Sequence, residues 1–273
     1  MPDERRRVLV TITDTHLTAD PDSAADLRAA LAVVEAGARP DAIVLAGDLT
    51  ADDPAAYRLL RDTVEPVAGR IDAAVVPVMG NHDERGAFRA AFGLPGGHDP
   101  CDAVHHLDGL RVAVLDTTVP GHHHGELTDA QLTRLAAALA TPAPQGSVLV
   151  LHHPPLPSPV PSVDLLRLRG AERLAAAVDG TDVRMIVCGH AHYAGAGALA
   201  GIPVWIAPAT AYRVDALPPA GRLRGVTGPA LSRIDLVGGT AVATAVPLAG
   251  EPVYDVDAGE RVAWMLARIP AEV

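Results

Sequence analysis

Residues 7–16 read Arg-Val-Leu-Val-Thr-Ile-Thr-Asp-Thr-His: a run of apolar and β-branched residues that stops at a carboxylate, Asp14, and an imidazole, His16. A short apolar run bounded by polar residues predicts a buried strand over 7–13. The same device recurs along the chain. A strand over 42–46 ends at Gly47-Asp48, and one over 74–79 ends at Gly80-Asn81-His82-Asp83. A strand over 147–151 ends at His152-His153-Pro154-Pro155, and one over 183–188 at Gly189-His190-Ala191-His192. Helical spacing follows most of them, over 23–39, 54–68, 84–92, 128–140 and 171–178. The first of these carries Leu27, Ala30, Leu31 and Val34 on one face, with Ser23 as its N-cap. Asp108-Gly109 between apolar runs 103–107 and 110–115 predicts a hairpin. After residue 190 the helical pattern fades, and 197–200, 203–206, 230–237 and 241–247 read as antiparallel strands, the last two joined by Gly238-Gly239. Strand–helix alternation followed by hairpins predicts one α/β domain, a sandwich of two sheets with helices outside. The C-terminal hairpins are expected to complete a second sheet facing the first.

In open α/β sheets the carboxyl ends of the strands form one rim, where ligands bind. Asp14/His16, Asp48, Asn81/His82, His152/His153 and His190/His192 are therefore expected to converge although they are scattered in sequence. Within Asp14-Thr15-His16 and His190-Ala191-His192, extended chain would put residues i and i+2 on one side, so that each pair aims at a common point. Any one of these elements is an ordinary turn; five in succession, each bearing Asp, Asn or His, are mutually consistent. Carboxylate, amide and imidazole without thiolate suit Mn, Fe, Co or Zn. The candidates are too many for one ion and divide naturally over two metals sharing one carboxylate.

Composition sets the outer limits. The chain has 273 residues, 49% of them hydrophobic, and a formal net charge of -11. All its positive side chains other than histidine are Arg. A global anion disfavours a nucleic-acid polymer or a membrane surface as partner, and Arg5-Arg6-Arg7 reads as a solvated strand start. Two cysteines, Cys101 and Cys188, make no disulfide framework and fit a reducing compartment. No apolar stretch approaches the ~20 residues of a membrane span, and no secretory h-region follows the N-terminal arginines. The expected location is cytoplasmic.

Asp14-x-His16, Gly47-Asp48, Gly80-Asn81-His82-Asp83, His152-x-Pro154 and Gly189-His190-x-His192 resemble, in order and spacing, the five motifs of the calcineurin-like metallophosphoesterases. Asp116-Thr-Thr-Val-Pro-Gly121, Gly125-Glu126-Leu127, Leu151-His-His-Pro-Pro155 and Gly189-His-Ala-His192 narrow the resemblance to the actinobacterial class III cyclic nucleotide phosphodiesterases. The likeness runs from about Val8 to Leu248, giving a domain over 1–250 and a tail over 251–273 that docks on the domain, on a partner or on a membrane. The resemblance implies a four-layer α/β/β/α sandwich of two mixed sheets with a dinuclear site at the strand C-terminal ends. It implies that Asp14, His16, Asp48 and His192 hold a first metal, often iron. Asp48, Asn81, His152 and His190 would hold a second, manganese, zinc or cobalt, with Asp48 bridging. His82 would not bind metal but would reach the phosphate, stabilising charge or protonating the leaving oxygen. A homodimer is implied as well.

The expected activity is hydrolysis of a small phosphodiester, a 3′,5′-cyclic nucleotide such as cAMP, by a hydroxide shared between the metals. Two carboxylates and that hydroxide leave a pair of dications with net positive charge, which suits a diester monoanion even in an acidic protein. Neutral Asn81 completes a shell without cancelling more of it. Two alternatives stand beside this: a broader phosphodiesterase acting on 2′,3′-cyclic nucleotides or glycerophosphodiesters, and a non-catalytic module on the same scaffold. The resemblance implies that an acid or amide often stands three residues after the bridging Asp to orient the catalytic His; here Ala51 stands there. Either Asp52 takes the role, or His82 lacks the partner. The loop His122-His123-His124 reads either as an exposed polar tract or as a substrate loop with one imidazole near the phosphate, His123 and His124 being the candidates. His153 is a candidate substrate contact. His98, His105, His106 and Cys188 read as structural or surface residues.

Overall fold

A computed structural model describes residues 6–37 and 39–268. Along the chain run β1 (Arg7–Ile12), α1 (Ala25–Ala36), β2 (Ala42–Ala46), α2 (Ala56–Ile71), β3 (Ala74–Val78) and α3 (Arg85–Ala91). Next come β4 (Ala103–Leu107), β5 (Leu110–Leu115), α4 (Asp129–Leu139), β6 (Ser147–Leu151), α5 (Pro161–Asp164), α6 (Ala171–Val178) and β7 (Val183–Cys188). The rest comprises β8 (Gly195–Leu199), β9 (Ile202–Ile206), β10 (Arg213–Val214), β11 (Gly225–Val226), β12 (Ala230–Val237), β13 (Thr240–Pro247) and α7 (Ala258–Leu266).

Period-two alternation builds the layers. In β1, Leu9 faces the other sheet while Val10 and Ile12 face helices; in β2, Val44 faces the sheet, Ile43 and Leu45 the helices. In β6, Val148 and Val150 meet the first sheet, and Leu149 and Leu151 meet α4 and α6. Strands covered on both faces have no polar side, which is why they read as unbroken apolar runs. The first sheet has the order β13-β12-β1-β2-β3 and the second β4-β5-β6-β7-β9-β8. Both are mixed: β1, β2 and β3 are parallel, as are β5, β6, β7 and β9, while β12, β13, β4 and β8 pair antiparallel with their neighbours. The helices α1, α2 and α3 cover the first sheet, α4 and α6 the second. This is the four-layer α/β/β/α sandwich.

Three expectations are corrected. The C-terminal hairpins do not jointly make the second sheet. The hairpin β8–β9 extends the second sheet, with β9 running parallel to β7, whereas β12–β13 joins the first sheet beside β1. Pairing partner is set by which edge is free, which local hairpin chemistry does not encode. Ser23 does not cap α1. A 3-10 turn, Pro21–Ala24, precedes the helix, and Asp20 accepts from the Asp22 N–H at 2.9 Å. Pro21 supplies the φ of a first helical position, so the preceding Asp is the cap. The helix also ends at Ala36; Ala38, inside the expected 23–39, lies outside the described residues, as do Arg5 and residues 269–273.

Asp108 and Gly109 turn with φ of 45° and 92°, as a tight hairpin requires. Thr128 and Gln131 form a reciprocal capping box on α4. No described helix is long and apolar enough to cross a membrane. No residue of α7 is buried among the described residues.

Candidate metal centre

The C-terminal ends of β1, β2, β3, β6 and β7 lie along one rim, and main-chain hydrogen bonds tie the loops they feed. The Asp14 N–H donates to the Gly47 carbonyl (2.9 Å), the His16 N–H to that of Asp48 (3.0 Å) and the Gly189 N–H to that of His152 (3.0 Å). Glycine is required where the loops cross. A Cβ on Gly80 would lie 2.1 Å from the Asp48 nitrogen, and one on Gly189 2.1 Å from Thr13 Oγ1.

The candidate ligand atoms assemble into overlapping groups, within 4.8 Å of one another in each: Asp14/His16/His192, His16/Asp48/His82, Asp14/Asp48/His152 and His152/His153/His190. His192 Nε2 is 3.3 Å from Asp14 Oδ1, and His152 Nε2 is 3.3 Å from Asp48 Oδ2. The backbone here is not extended, contrary to expectation. Asp14 (φ 52°), His16 (45°), Asp48 (49°), His190 (67°) and His192 (57°) all occupy the left-handed region. Non-glycine residues pay strain there, and such residues cluster at functional sites. The geometry also separates His190 from His192: the latter joins Asp14 and His16, the former His152 and His153. A left-handed turn at each histidine swings the two imidazoles apart, where extended chain would have aligned them.

The donors fit a cation. Asp14 is fully buried and Asp48 is 2% exposed, and among the described residues no Arg pairs with either. Buried carboxylates need compensation. Without an ion, imidazoles supply it: burial opposes a proton on His152, but the Asp48 carboxylate outweighs that and lifts its pKa to about 9. His190, buried and facing His152, is pushed down to about 3. Asn81 Oδ1, His152 Nε2 and His153 Nε2 are buried without a hydrogen-bond partner. The far nitrogens are anchored instead. His152 Nδ1 donates to the Ala46 carbonyl (2.9 Å) and His192 Nδ1 to that of Tyr212 (3.1 Å), which leaves each Nε2 as the ligand atom. Metal binding displaces protons from such a cluster.

The other predicted residues fall into place unevenly. His82 Nδ1 meets Asp52 Oδ2 at 2.8 Å, so Asp52, itself left-handed at φ 53°, partners the imidazole. His123 Nδ1 is 3.2 Å from Asn81 Nδ2, and its ring is 5.4 Å from that of His82. His124 meets Glu126 and the His122 ring rather than the candidate ligands. His153 is fully buried, with Nδ1 2.7 Å from Thr117 Oγ1; burial, then the imidazoles of His190 and His152, holds its pKa well below the ordinary value. Sequence reasoning gave no role to Asp83 or Tyr212. Asp83 accepts from the N–H groups of Gly80 (2.9 Å) and Leu49 (3.1 Å) and from the Tyr57 hydroxyl (2.7 Å), clamping the Asp48 loop to the Asn81–His82 loop. Its only signal was its place in Gly80-Asn-His-Asp83. Tyr212 had none.

Fold and site define a metal-dependent hydrolase scaffold. Residues 7–194 match the Calcineurin-like phosphoesterase family, and the chain belongs to that family. A probable cyclic nucleotide phosphodiesterase of Rhodococcus erythropolis is 44% identical over 94% of this chain and 90% of that protein. A cAMP/cGMP dual specificity phosphodiesterase of Mycobacterium tuberculosis is 44% identical over 89% of this chain and 80% of its own length. Among solved structures, a dimetal phosphatase from Danio rerio shares the fold with a TM-score of 0.60 at 15% identity, over 89% of this chain and 99% of that one. The protein is a metal-dependent phosphodiesterase.

Proposed function

We propose that this enzyme hydrolyses 3′,5′-cyclic nucleotides such as cAMP at a centre of two metal ions. Asp14, His16, Asp48 and His192 hold the first, and Asp48, Asn81, His152 and His190 the second. The observation that carries the reading is the buried Asp48 carboxylate, which belongs to two of the ligand groups and has no Arg partner among the described residues. Oxygen and nitrogen donors without thiolate suit Fe, Mn, Zn or Co. When bound, a metal pair neutralises a phosphodiester's charge and activates water at neutral pH.

The chain's own groups do the rest. Asp52 fixes the His82 ring through Nδ1, which leaves Nε2 to stabilise charge on a bound phosphate or to give a proton to the leaving ester oxygen. His123 lies against both the Asn81 amide and the His82 ring. The names of the two relatives at 44% identity support a cyclic nucleotide as substrate. The net charge of -11 disfavours a nucleic-acid polymer.

The test is hydrolysis of 3′,5′-cAMP by the Mn²⁺-loaded protein, alongside elemental analysis. Two ions per chain and release of AMP are expected, with Asp48→Asn losing both. Full activity with a single ion would overturn the dinuclear reading. Faster turnover of 2′,3′-cAMP or glycerophosphoethanolamine would favour a broad phosphodiesterase, a reading that gains weight from the 30% identity to a glycerophosphodiester phosphodiesterase of Enterobacter lignolyticus over 56% of each chain.

A further inference from the structure

Tyr212 touches the candidate centre, and the mechanism does not use it. Aromatic rings are scarce here: two Phe, two Trp and four Tyr. Tyr57, Phe88 and Tyr193 are buried, and Trp205 spends its Nε1 on Ser232 Oγ between the sheets. Among the described residues, Tyr212 is the one Phe, Tyr or Trp ring in contact with candidate ligands. Its centroid is 4.3 Å from that of His192 and 6.3 Å from that of His16, nearly parallel to the latter at 27°. Yet the residue is 45% exposed.

Its position is fixed by main chain. The Thr210 N–H donates to the Thr13 carbonyl (2.9 Å), the Ala211 N–H to that of Asp14 (3.2 Å) and the Val214 N–H to that of His192 (2.9 Å). The Tyr212 carbonyl accepts from His192 Nδ1. The segment is thus laced to both loops that carry the first group of ligands. A large ring held rigidly at the rim of an anion site, its surface partly in water, is a stacking platform awaiting a flat partner. His16 touches both Tyr212 and His82, at 6.3 and 5.1 Å between centroids, so the rings run in a row Tyr212, His16, His82, His123. Were a phosphate bound beside His82, a single ring, His16, would separate it from Tyr212.

We propose that the Tyr212 ring packs against the base of a nucleotide substrate and is a specificity-determining residue, an inference that rests on the phosphodiesterase reading above. The ring face, not the hydroxyl, carries the contact.

Binding of AMP and of inorganic phosphate to the Mn²⁺-loaded protein separates the base from the anion. Tyr212→Ala is expected to weaken AMP about tenfold and to leave phosphate affinity and metal content within about twofold of wild type. Tyr212→Phe and Tyr212→Trp are expected to retain AMP affinity, and KM for cAMP to follow the same order. Equal weakening of AMP and phosphate, no weakening of AMP, or failure of the Phe variant to retain AMP would overturn the platform. If the wild type binds AMP through this ring but hydrolyses no phosphodiester, the phosphodiesterase reading falls and the platform stands. If cAMP is hydrolysed while Tyr212→Ala binds AMP normally, the reverse holds.

Discussion

At the residue scale, the site depends on side chains that fix other side chains. Asp52 was one of two open possibilities in the sequence, because Ala51 stands three residues after Asp48 and offers His82 no polar group. The left-handed turn at Asp52 brings its carboxylate to His82 Nδ1. Removing His82 should cost about 10²–10⁴-fold in kcat, and Asp52→Ala, which keeps the imidazole, about tenfold, with metal content unchanged. Steady-state kinetics and elemental analysis on the same preparations check this. Asp83 makes the opposite kind of contribution, structural before chemical. Burial first, then the nearby Asp48 charge, lifts its pKa to about 6. Asp83→Ala would strand the donors of Gly80, Leu49 and Tyr57 in the interior. A loss of about 3 kcal/mol or more in urea unfolding is expected, since each of the three stranded donors costs about 1–3 kcal/mol.

At the scale of elements, the strands were legible because their apolar runs are unbroken and each ends in a distinct polar motif. The helix faces were legible too, down to Leu27, Ala30, Leu31 and Val34, all buried. What misled was local chemistry with two solutions. Ser23 looks like a cap, but Asp20-Pro21 three residues earlier is a stronger start. The Asp-x-His and His-x-His pairs look extended, but each candidate ligand in them turns left-handed, and no alternation rule anticipates that. Crossing loops set a sharper constraint. Gly189 passes so close to Thr13, Asp14 Oδ2 and the Ala46 carbonyl that a methyl group there would meet all three within 3 Å. Gly189→Ala should therefore push the Asp14 and His190 loops apart, lowering metal content and costing about 1–3 kcal/mol. Metal analysis with thermal unfolding reads both effects; a fully loaded, unperturbed variant would refute the close-packing account.

At the scale of the whole molecule, a layered scaffold holds a cluster of buried carboxylates and imidazoles that could take up a cation. Burial opposes charge on Asp14 and Asp48, yet the imidazoles of His192 and His152 hold the two carboxyls below the ordinary value, so loading metal should stabilise the fold. A ligand at 100 times its Kd contributes about 2.7 kcal/mol, which for a domain of this size raises Tm by roughly 5–10 °C. Calorimetry before and after chelation, with recovery on adding Mn²⁺, is the measurement. An unchanged Tm would mean that the cluster does not take up the ion in the native state. The tail is a separate matter: α7 exposes Trp264, Met265 and Leu266, and Arg261 and Arg268 cover the Trp264 ring at 4.4 and 3.9 Å.

By itself the sequence determined the α/β class, the order of buried strands, the rim on which their ends meet, and the residue types available to a metal. These follow from period, apolar content and chain order, all local properties. The tertiary structure alone decided which sheet each C-terminal hairpin joins, that Asp52 faces His82, that His190 and His192 part company, and that Tyr212 borders the site. Those outcomes depend on free sheet edges, left-handed turns and loop crossings. Each is an energy of contact between segments far apart in the chain, and no run of neighbouring residues contains it.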